Sequence, residues 1–455
     1  MRNAALAIAV ICSLGCGGAR PPDLQRSLNR VSGLVQLPPG VIDVSSELVV
    51  PEGAHDLEIR GAPSGTVLRA ALDFKGRAVL CVKSAARIRF TNFTIDGGRA
   101  VLEKPAGLPP SDVPFSKFYS DNGLLAEDVD QLTISRVQFR NVVNFPILVA
   151  HSTGVVVEQV RIEDSGSTNT KGRNNASGGI LLEEGVAGFR VRNCTLRNVR
   201  GNGVWTHSLY TSPRSRDGLI ANNRFDTIGR DAIQVGHATG VRVEGNTGAL
   251  IGYPASEVDV EGGAVPVAID TAGDVDRSVY AGNRFEEING KCIDLDGFHD
   301  GEVRANVCVN RGAAEDYPHG HFGIVFNNSN PDMQSENVAV GENVIDGAKF
   351  GGIFVIGTGH RILRNHLRNL NLAHCNDSGD RFGCLYYPRE PELLRAGIYL
   401  GRGAHRPAIA RNNIVEDNEI SGYNMNSRCI AAAPGVSLKA NTIRRNRCRD
   451  EAPKR

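Results

Sequence analysis

One short frame recurs along this chain and limits its fold more than any other feature. The frame is a small residue, an aliphatic residue, a variable residue, a second aliphatic residue and a second variable residue, as in Cys292-Ile293-Asp294-Leu295-Asp296. It begins at Gly179, Gly203, Ala232, Ala268, Cys292, Gly323, Gly352, Gly397 and Cys429. The shortest steps between successive frames are 24 residues. Because a period in the twenties that is made of strands is typical of a stacked solenoid, we predict one repetitive domain.

The overall charge argues against one class of partner. Lys and Arg number 51, Asp and Glu number 50, and the formal net charge is +1. Proteins that bind nucleic acid are usually strongly basic, so we expect no nucleic-acid partner. The 52 glycines fit a chain that turns every few residues.

The N-terminus has the pattern of an export signal. One positive charge precedes a short apolar stretch from Ala4 to Leu14, which is too short to span a membrane. Ser13-Leu14-Gly15-Cys16 resembles a bacterial lipoprotein cleavage box, so we predict lipidation at Cys16 and membrane contact through that anchor only. Plain secretion is the alternative. We therefore predict a signal peptide at 1–15, a linker at 16–30, the solenoid at 31–448 and a tail at 449–455, outside the cytoplasm, on the outer membrane or cell surface or else secreted or periplasmic.

Eight cysteines follow the N-terminal segment, and an even number in an exported protein permits disulfides. Cys375 and Cys384 are close enough in sequence to close a local loop, whereas the other pairings stay open. Their spacings lack the paired CxxC units of a structural zinc site, so we expect no zinc there.

Two turns near the start of the solenoid point to a known family. Leu37-Pro38-Pro39-Gly40 and Thr94-Ile95-Asp96-Gly97 resemble turns that are frequent in the pectin-lyase-like superfamily, and the resemblance extends over about 31–448. It implies an all-β fold, a single-stranded right-handed parallel β-helix. The superfamily contains lyases, hydrolases, epimerases and non-catalytic surface proteins, so the resemblance leaves the reaction open.

A second repeated element agrees with this fold. Asparagines recur after short apolar runs, often at steps of 23 residues, at Asn193, Asn223, Asn246, Asn283, Asn306, Asn343, Asn365, Asn418 and Asn441. Stacked asparagine side chains can bond to one another and to the backbone of a turn. In the family such a ladder lies between the second and third strands, which implies that the frame containing Asp294 is the first strand.

Strand alternation predicts which side chains of the first strands point outward, in two columns with about 4.8 Å between neighbouring coils. One column is Leu181, Trp205, Gln234, Asp270, Asp294, Val325, Phe354 and Tyr399; the other is Glu183, His207, Gly236, Ala272, Asp296, Asn327, Ile356 and Gly401. Insertions at 103–122, 164–177, 208–218, 252–264, 311–322 and 369–395 adjoin these strands. Because solenoid insertions gather on the binding face, we predict the site here.

Asp270, Asp294 and Asp296 are the predicted centre of this face. As a glycosidase pair, stacked carboxyl groups suit a retaining mechanism, and a pair two coils apart suits an inverting one. As a Ca²⁺ site, three aspartates with Asn327 or a loop carbonyl could hold an ion that bridges to a uronate. The remaining alternative is that they are solvated acids without a function.

The other candidate residues surround these acids. His299, His319 and His321 are possible proton carriers, and Lys291 or Arg230 could act as a lyase base or a uronate anchor. Loop histidines without a function and a plain ion pair are the alternatives for these residues. The predicted substrate-binding residues are Glu183, Trp205, His207, Arg230, Gln234, His319, His321, Asn327, Phe354 and Tyr399.

The aromatic members, Trp205, Phe354 and Tyr399, suit stacking on sugar rings, unless a register slip turns them into the core. Neither a polygalacturonase motif nor a pectate-lyase signature is complete in this sequence. We therefore predict a monomeric polysaccharide lyase or glycoside hydrolase, with Asp270, Asp294, Asp296, His299 and Lys291 in catalytic roles. The alternative is a non-catalytic surface protein that binds glycans.

Overall fold

The computed structural model describes residues 24–174, 177–260, 264–329, 333–375, 383–384, 389–403 and 408–451. These residues form 39 strands, paired in parallel from one turn of the solenoid to the next. Each turn, here called a coil, adds one strand to each of three sheets. The chain is a right-handed parallel β-helix, as the sequence predicted.

The first five long or early strands form the opening coils and bend around corners: β1 (Gly33–Gln36), β2 (Gly40–Val50), β3 (His55–Arg60), β4 (Thr66–Thr91) and β6 (Asn122–Ser135). The first sheet continues with β8 (Ile147–Ala150), β11 (Gly178–Glu183), β14 (Asn202–His207), β18 (Ile233–Thr239), β21 (Val267–Asp276), β24 (Lys291–Asp296), β28 (Ile324–Asn327), β31 (Ile353–Val355), β34 (Ile398–Leu400) and β37 (Ile430–Ala432).

The other two sheets alternate with the first along the chain. The second contains β9 (Val156–Glu158), β12 (Arg190–Arg192), β16 (Leu219–Ala221), β19 (Arg242–Glu244), β22 (Val279–Ala281), β26 (Glu302–Arg304), β29 (Ala339–Gly341), β32 (Arg361–Leu363), β35 (Ile414–Glu416) and β38 (Thr442–Arg444). The third contains β5 (Thr94–Asp96), β7 (Gln138–Arg140), β10 (Arg161–Ser165), β13 (Thr195–Val199), β17 (Arg224–Ile228), β20 (Thr247–Ile251), β23 (Arg284–Ile288), β27 (Val307–Val309), β30 (Val344–Asp346), β33 (His366–Leu370), β36 (Glu419–Gly422) and β39 (Arg447–Asp450).

Short elements complete the described chain. Strands β15 (Ser215–Arg216) and β25 (Phe298–His299) extend the pairing beside β18 and β21. The helices are α1 (Leu24–Leu28), α2 (Arg99–Leu102) and α3 (Phe115–Phe118), with single 3₁₀ turns at Ala255–Glu257, Ala314–Asp316 and Leu438–Ala440. None of the described helices combines the length and the apolar character that spanning a membrane requires.

The aliphatic positions of the repeated frame build the core. Ile233 lies between Val204 and Ile269 in the first sheet, and all three side chains are buried. Burying one such side chain contributes about 1.5–3 kcal/mol relative to leaving it exposed. Because every coil repeats the same contacts, the core extends along the solenoid axis.

The asparagine ladder forms at the predicted corner, between the second and third sheets. The Nδ2 group of each member donates to Oδ1 of the next at 2.8–3.0 Å. Its members are Asn223, Asn246, Asn283, Asn306, Asn343, Asn365, Asn418 and Asn446. The two predicted ends were wrong. Cys194 takes the place assigned to Asn193, and Asn441 instead accepts a hydrogen bond from the Asn413 backbone.

Three disulfides are present among the described cysteines. The predicted pair Cys375–Cys384 is confirmed, and Cys292–Cys308 and Cys429–Cys448 were not predictable from spacing.

Both ends of the predicted domain extend slightly. Leu24 and Leu28 of α1, inside the segment predicted as a linker, are buried, and β39 continues into the predicted tail. Cys16 and the predicted signal peptide lie outside the described residues.

Candidate functional site

The first sheet presents its outward side chains in the predicted columns. Trp205 is paired with Gln234 and Gln234 with Asp270, while Ile269 is paired with Ile293, which places Asp294 beside Asp270 on the next coil. Glu183 is opposite His207, and Asp296 is opposite Asn327. The register inferred from the frame is therefore confirmed throughout the region of the predicted site.

The accessibility of these columns differs from the prediction. Asp270 is 8% exposed and Asp294 6% exposed, and Tyr399 and Leu181 are fully buried. Trp205, Gln234, Asp296, Asn327 and Phe354 are partly exposed. The expectation that all three aspartates lie on an exposed face was wrong for Asp270 and Asp294, because loops and α3 cover much of the sheet.

A carboxyl group that sequence reasoning missed joins the cluster. Asp231, just before β18, is buried and accepts hydrogen bonds from the Val267 backbone at 2.9 Å and from Gln234 Nε2 at 3.2 Å. The same Gln234 Nε2 donates to Asp270 Oδ2 at 2.5 Å. Asn202 Nδ2 in turn donates to Gln234 Oε1 at 3.0 Å, which fixes the orientation of that amide.

A signal for Asp231 was present in the sequence. Asn202, Asp231 and Lys291 all occupy the position just before the small residue of the frame. In the structure, Asn202 bonds Gln234 and Lys291 bonds Asp294, so this position forms a third polar column at the edge of the sheet. We name Asp231, Gln234, Asp270, Lys291 and Asp294 the acidic floor.

Lys291 supplies the positive charge of the acidic floor. Its ammonium is ion-paired with Asp294 Oδ2, and both side chains are buried. Burial by itself would lower the pKa of Lys291, but the nearby Asp294 outweighs it and the pKa is raised. A protonated, ion-paired lysine is unsuited to the role of lyase base that the sequence left open for it.

The remaining acids of the site are difficult to ionise. Burial, together with Asp231 and Asp294, raises the pKa of Asp270 well above that of an ordinary aspartate. Burial also raises the pKa of Asp231 to about 6, and that of Asp296 to a smaller extent. Asp296 accepts hydrogen bonds from both the backbone and the hydroxyl of Ser329. Burial and the neighbouring carboxyl groups therefore favour the protonated form of Asp270 more than that of an ordinary aspartate.

The predicted histidines do not form one group. His299 lies on β25, where Nδ1 is 3.6 Å from Asp274 Oδ1 and 3.3 Å from the Gly297 carbonyl. His319 lies on the loop that precedes β28, and its backbone donates to Asn289 Oδ1 at 2.7 Å. Burial, and then the charge of Lys291, lower the pKa of His321 to about 3.

One end of the site is shaped by α3. The ring of Phe115 contacts Trp205 edge-on, with centroids 4.8 Å apart, and lies 5.0 Å from the His207 ring. The backbone groups of Phe115 and Ser116 donate to the two Glu183 oxygens at 2.9 and 2.6 Å. Glu183 therefore anchors α3, although the sequence suggested that it faces substrate.

Among the described residues, Glu183, Glu184 and His207 are close enough together to hold a metal ion, with ligand atoms within 4.8 Å of one another. Glu184 Oε1 also accepts a hydrogen bond from the Leu209 backbone at 2.9 Å. Burial lowers the pKa of His207 to about 4, so the imidazole is neutral. At the acidic floor, where the sequence suggested Ca²⁺, the Lys291 ammonium already balances one carboxylate.

Other predicted binding residues have partners that limit their access. Tyr399 donates its hydroxyl to Glu390 at 3.0 Å and stacks on Phe354, with centroids 5.8 Å apart. Arg230 reaches the Asp259 carbonyl at 3.4 Å. Tyr399 is therefore closed to a ligand, which contradicts its predicted exposure, whereas Phe354 keeps a partly exposed face.

Several buried polar atoms of the site have no hydrogen-bond partner among the described residues. They are Trp205 Nε1, His207 Nδ1, Asp294 Oδ1 and His321 Nδ1. Unpaired buried polar groups are rare in folded proteins, and each usually indicates a bound water, ion or ligand. The three ring nitrogens and the one carboxylate oxygen are groups with which a sugar hydroxyl could form hydrogen bonds.

Comparisons with known proteins agree on the fold. A family model described as right handed beta helix region matches residues 78–249. The chain is similar to PfbA, a surface adhesin of Streptococcus pneumoniae, with a TM-score of 0.54, 17% identity and coverage of 74% of this chain and 84% of that one. It is also similar to DFA-IIIase from Arthrobacter chlorophenolicus A6 in complex with GF2, with a TM-score of 0.53, 14% identity and the same two coverages, 74% and 84%. No curated protein sequence matches the chain. At these identities the similarity concerns the fold alone.

Proposed function

Because this chain is a right-handed parallel β-helix, the fold of the pectin-lyase-like superfamily, we propose that it is an extracytoplasmic glycoside hydrolase acting at the acidic floor. One observation carries the proposal. Asp270, whose pKa is raised well above the ordinary value, lies one coil from Asp294, whose carboxylate is paired with Lys291. A carboxylic acid that retains its proton beside a carboxylate held by a cation is the pair that cleaves a glycosidic bond.

The hydrogen bonds favour one assignment of roles. Asp270 uses Oδ2 to accept from Gln234, so its other oxygen is the one that can donate a proton to the glycosidic oxygen. Asp294 uses Oδ2 to bind Lys291, while its Oδ1, which is buried, has no described partner, and we assign the attack on the sugar to this oxygen. Adjacent coils are about 4.8 Å apart, near the separation of about 5–5.5 Å used by retaining enzymes.

The proposed reaction then balances in two steps. Asp270 protonates the leaving oxygen as its bond to the anomeric carbon breaks, and Asp294 forms an ester to that carbon. Asp270, now a carboxylate, takes a proton from water as the water attacks the ester. Asp294 is released as a carboxylate, Asp270 is again protonated, and the sugar leaves with its original anomeric configuration.

The charges of the site favour hydrolysis of a neutral glycan over elimination from a uronate. A polysaccharide lyase needs a cation or similar group to neutralise the substrate carboxylate and a base to remove a proton. Here Lys291 is already ion-paired with Asp294 and is not free to neutralise a uronate carboxylate. A neutral sugar needs no such cation and can pair with the ring nitrogens of the site that have no described partner.

The disulfides support the proposed location. Disulfides persist in oxidising compartments, and three are present among the described residues. Attachment through a lipid on Cys16 remains part of the proposal. Incorporation of labelled palmitate into the wild type but not into Cys16→Ser would test it.

The test of the proposed activity is a panel of neutral and acidic polysaccharides, with and without Ca²⁺. New reducing ends without unsaturated ends are expected from a neutral glycan, whereas ultraviolet-absorbing unsaturated ends would indicate a lyase. Asp270→Asn and Asp294→Asn should each lower kcat by about 10²-fold or more, the usual contribution of such groups. Asp217→Asn, at an exposed aspartate in the turn between β15 and β16 and outside the acidic floor, is the matched control.

Two outcomes would contradict the proposal. Full activity in Asp270→Asn or Asp294→Asn would remove the site assignment. Glycans that are retained by the protein but never cleaved would indicate the alternative, a non-catalytic glycan-binding surface protein.

A further inference from the structure

The first sheet is closed at its N-terminal end by a packed wall. Phe115 and Tyr119 from the 103–122 segment bury the outward residues Leu125, Leu148 and Leu181 in a small apolar cluster separate from the main core. These leucines belong to the same outward column as Asp270 and Asp294. We name residues 115–119 the N-terminal wall.

Polar contacts hold this wall in place. Both Glu183 oxygens accept backbone hydrogen bonds from Phe115 and Ser116. Arg77 Nη2 donates to the Ser116 carbonyl at 2.8 Å, and Tyr119 donates its hydroxyl to the Gly107 carbonyl at 2.5 Å. A ligand that extended past Trp205 in this direction would have to displace all of these contacts.

The other end of the column is also covered. Tyr399 points outward from β34, yet it is fully buried, and its hydroxyl bonds Glu390 at 3.0 Å. Arg402 pairs with the other Glu390 oxygen at 3.1 Å, and Leu393 and Leu394 pack against the core. We name residues 389–395 the C-terminal wall.

A third set of contacts links the loops along one side of the sheet. Arg200 binds Glu103 at 2.7 Å and lies 3.5 Å from Glu257, which ties the 103–122 segment to the 252–260 loop. The Tyr253 hydroxyl of that loop donates a hydrogen bond to the Asp316 carbonyl at 2.8 Å, which connects the 252–260 loop to the 311–322 loop. The loops thus form a continuous side to the acidic floor.

Between the two end walls, the outward column consists of Trp205, Gln234, Asp270, Asp294, Val325 and Phe354, which span six coils, or about 24 Å. That distance accommodates about four or five sugar rings. An open β-helix groove would instead hold a polymer along many coils.

We propose that the site takes the end of a glycan chain or a short neutral oligosaccharide and does not bind the interior of a polymer. This inference rests on the proposed hydrolase activity and adds the mode of attack, which is cleavage within about five units of a chain end. Trp205, at the N-terminal end of the floor, lies against the terminal sugar, where its unpartnered Nε1 donates to a hydroxyl.

The first experiment measures how binding depends on chain length. Because Trp205 is the single tryptophan of the chain, its emission reports on this site alone. Fructo-, cello- and manno-oligosaccharide ladders of two to eight units are titrated into Asp270→Asn, which binds without turnover. Affinity should rise to about five units and then stay constant within about twofold. Wild-type digestion should release short products from the start, with little loss of polymer viscosity.

The second experiment opens the N-terminal wall without a ligand. Phe115→Ala removes the ring that covers Trp205, and acrylamide quenching of Trp205 should increase at least twofold. The matched control is Phe118→Ala, in the same helix, where the ring is 43% exposed and does not line the floor. Circular dichroism checks that both variants keep the β-helix; if Phe115→Ala does not, the wild-type length dependence decides alone.

The outcomes separate this inference from the proposed function. Hydrolysis that yields long internal fragments, or affinity that continues to rise to eight units, would overturn the closed-end site while leaving the hydrolase intact. Failure of every ladder to bind or react would overturn the hydrolase. In that case, Trp205 quenching that is equal in the wild type and Phe115→Ala would overturn the wall as well.

Discussion

Replacing Lys291 with methionine removes the one positive charge of the acidic floor while keeping much of the side-chain volume. The side chains of Lys291 and Asp294 are only 10% and 8% exposed, so the variant would leave a buried carboxylate without its cation. Removing one partner of a buried ion pair costs about 3–5 kcal/mol, whereas an exposed pair contributes about 0–1 kcal/mol. No other cation of the acidic floor could replace Lys291, since its remaining members are Asp231, Gln234 and Asp270. We therefore expect Lys291→Met to lower the free energy of unfolding by at least about 3 kcal/mol at pH 7.

The assay is guanidinium unfolding followed by the emission of Trp205, three coils from Asp294 along the same column. The loss should be smaller at pH 5, where the carboxylate left behind can take up a proton. The double variant Lys291→Met, Asp294→Leu should recover most of the stability, because no buried charge then remains. Lys83→Met is the matched control, since Lys83 forms an exposed ion pair with Glu52 at 3.6 Å.

A change within about 0.5 kcal/mol in Lys291→Met, comparable to that expected for Lys83→Met, would refute the reasoning. The acidic floor would then be balanced in some other way, and the assignment of Asp294 as the attacking carboxylate would lose its support.

Two further predictions concern the wall and the coil beneath the site. Burial raises the pKa of Glu183 to about 7, so its stabilising contribution is complete below the unfolded value of 4.5 and is lost as pH rises through 7. The free energy of unfolding of the wild type should therefore fall by about 3 kcal/mol between pH 4.5 and 8, and the emission of Trp205 should change near pH 7. Both effects should be absent in Glu183→Gln. Replacing Cys292 and Cys308 with alanine removes a disulfide between residues that are 16 positions apart in the sequence. The free energy of unfolding, measured with a chemical denaturant, should fall by about 3 kcal/mol.

Each of these has its own control. Glu127→Gln, at another buried glutamate close to the same helix but with a lowered pKa, should leave the pH 7 transition of Trp205 unchanged. If the pH 7 transition of Trp205 persists in Glu183→Gln, a group other than Glu183 causes it. Cys375→Ala with Cys384→Ala removes a shorter link of 9 residues away from the acidic floor. Equal unfolding curves for the wild type and Cys292→Ala, Cys308→Ala would show that stacking alone holds that coil.

The repeated frame was sufficient to predict the register of the first sheet. Because parallel coils stack only when equivalent positions coincide, the spacing of Ile269 and Ile293 determined that Asp270 and Asp294 are neighbours. The asparagine ladder was predictable for the same reason. It failed at its two ends, where Cys194 and Asn446 replace the members expected from the pattern.

The environment of the acids depended on contacts between segments that no period relates. Asp231 lies outside the two predicted columns, and α3 reaches Glu183 from residues 67 and 68 positions earlier in the chain. Pairing of Lys291 with Asp294, and burial of Tyr399 against Glu390, likewise depend on the conformations of individual side chains and loops.

By itself, then, the sequence determined which residues share a coil position, because that follows from a local repeat with a fixed strand spacing. Only the tertiary structure decided which of them are buried, charged or closed to a ligand. Loop paths are specific contacts between distant segments, and the protonation of a carboxyl group depends on every charge and every burying group around it.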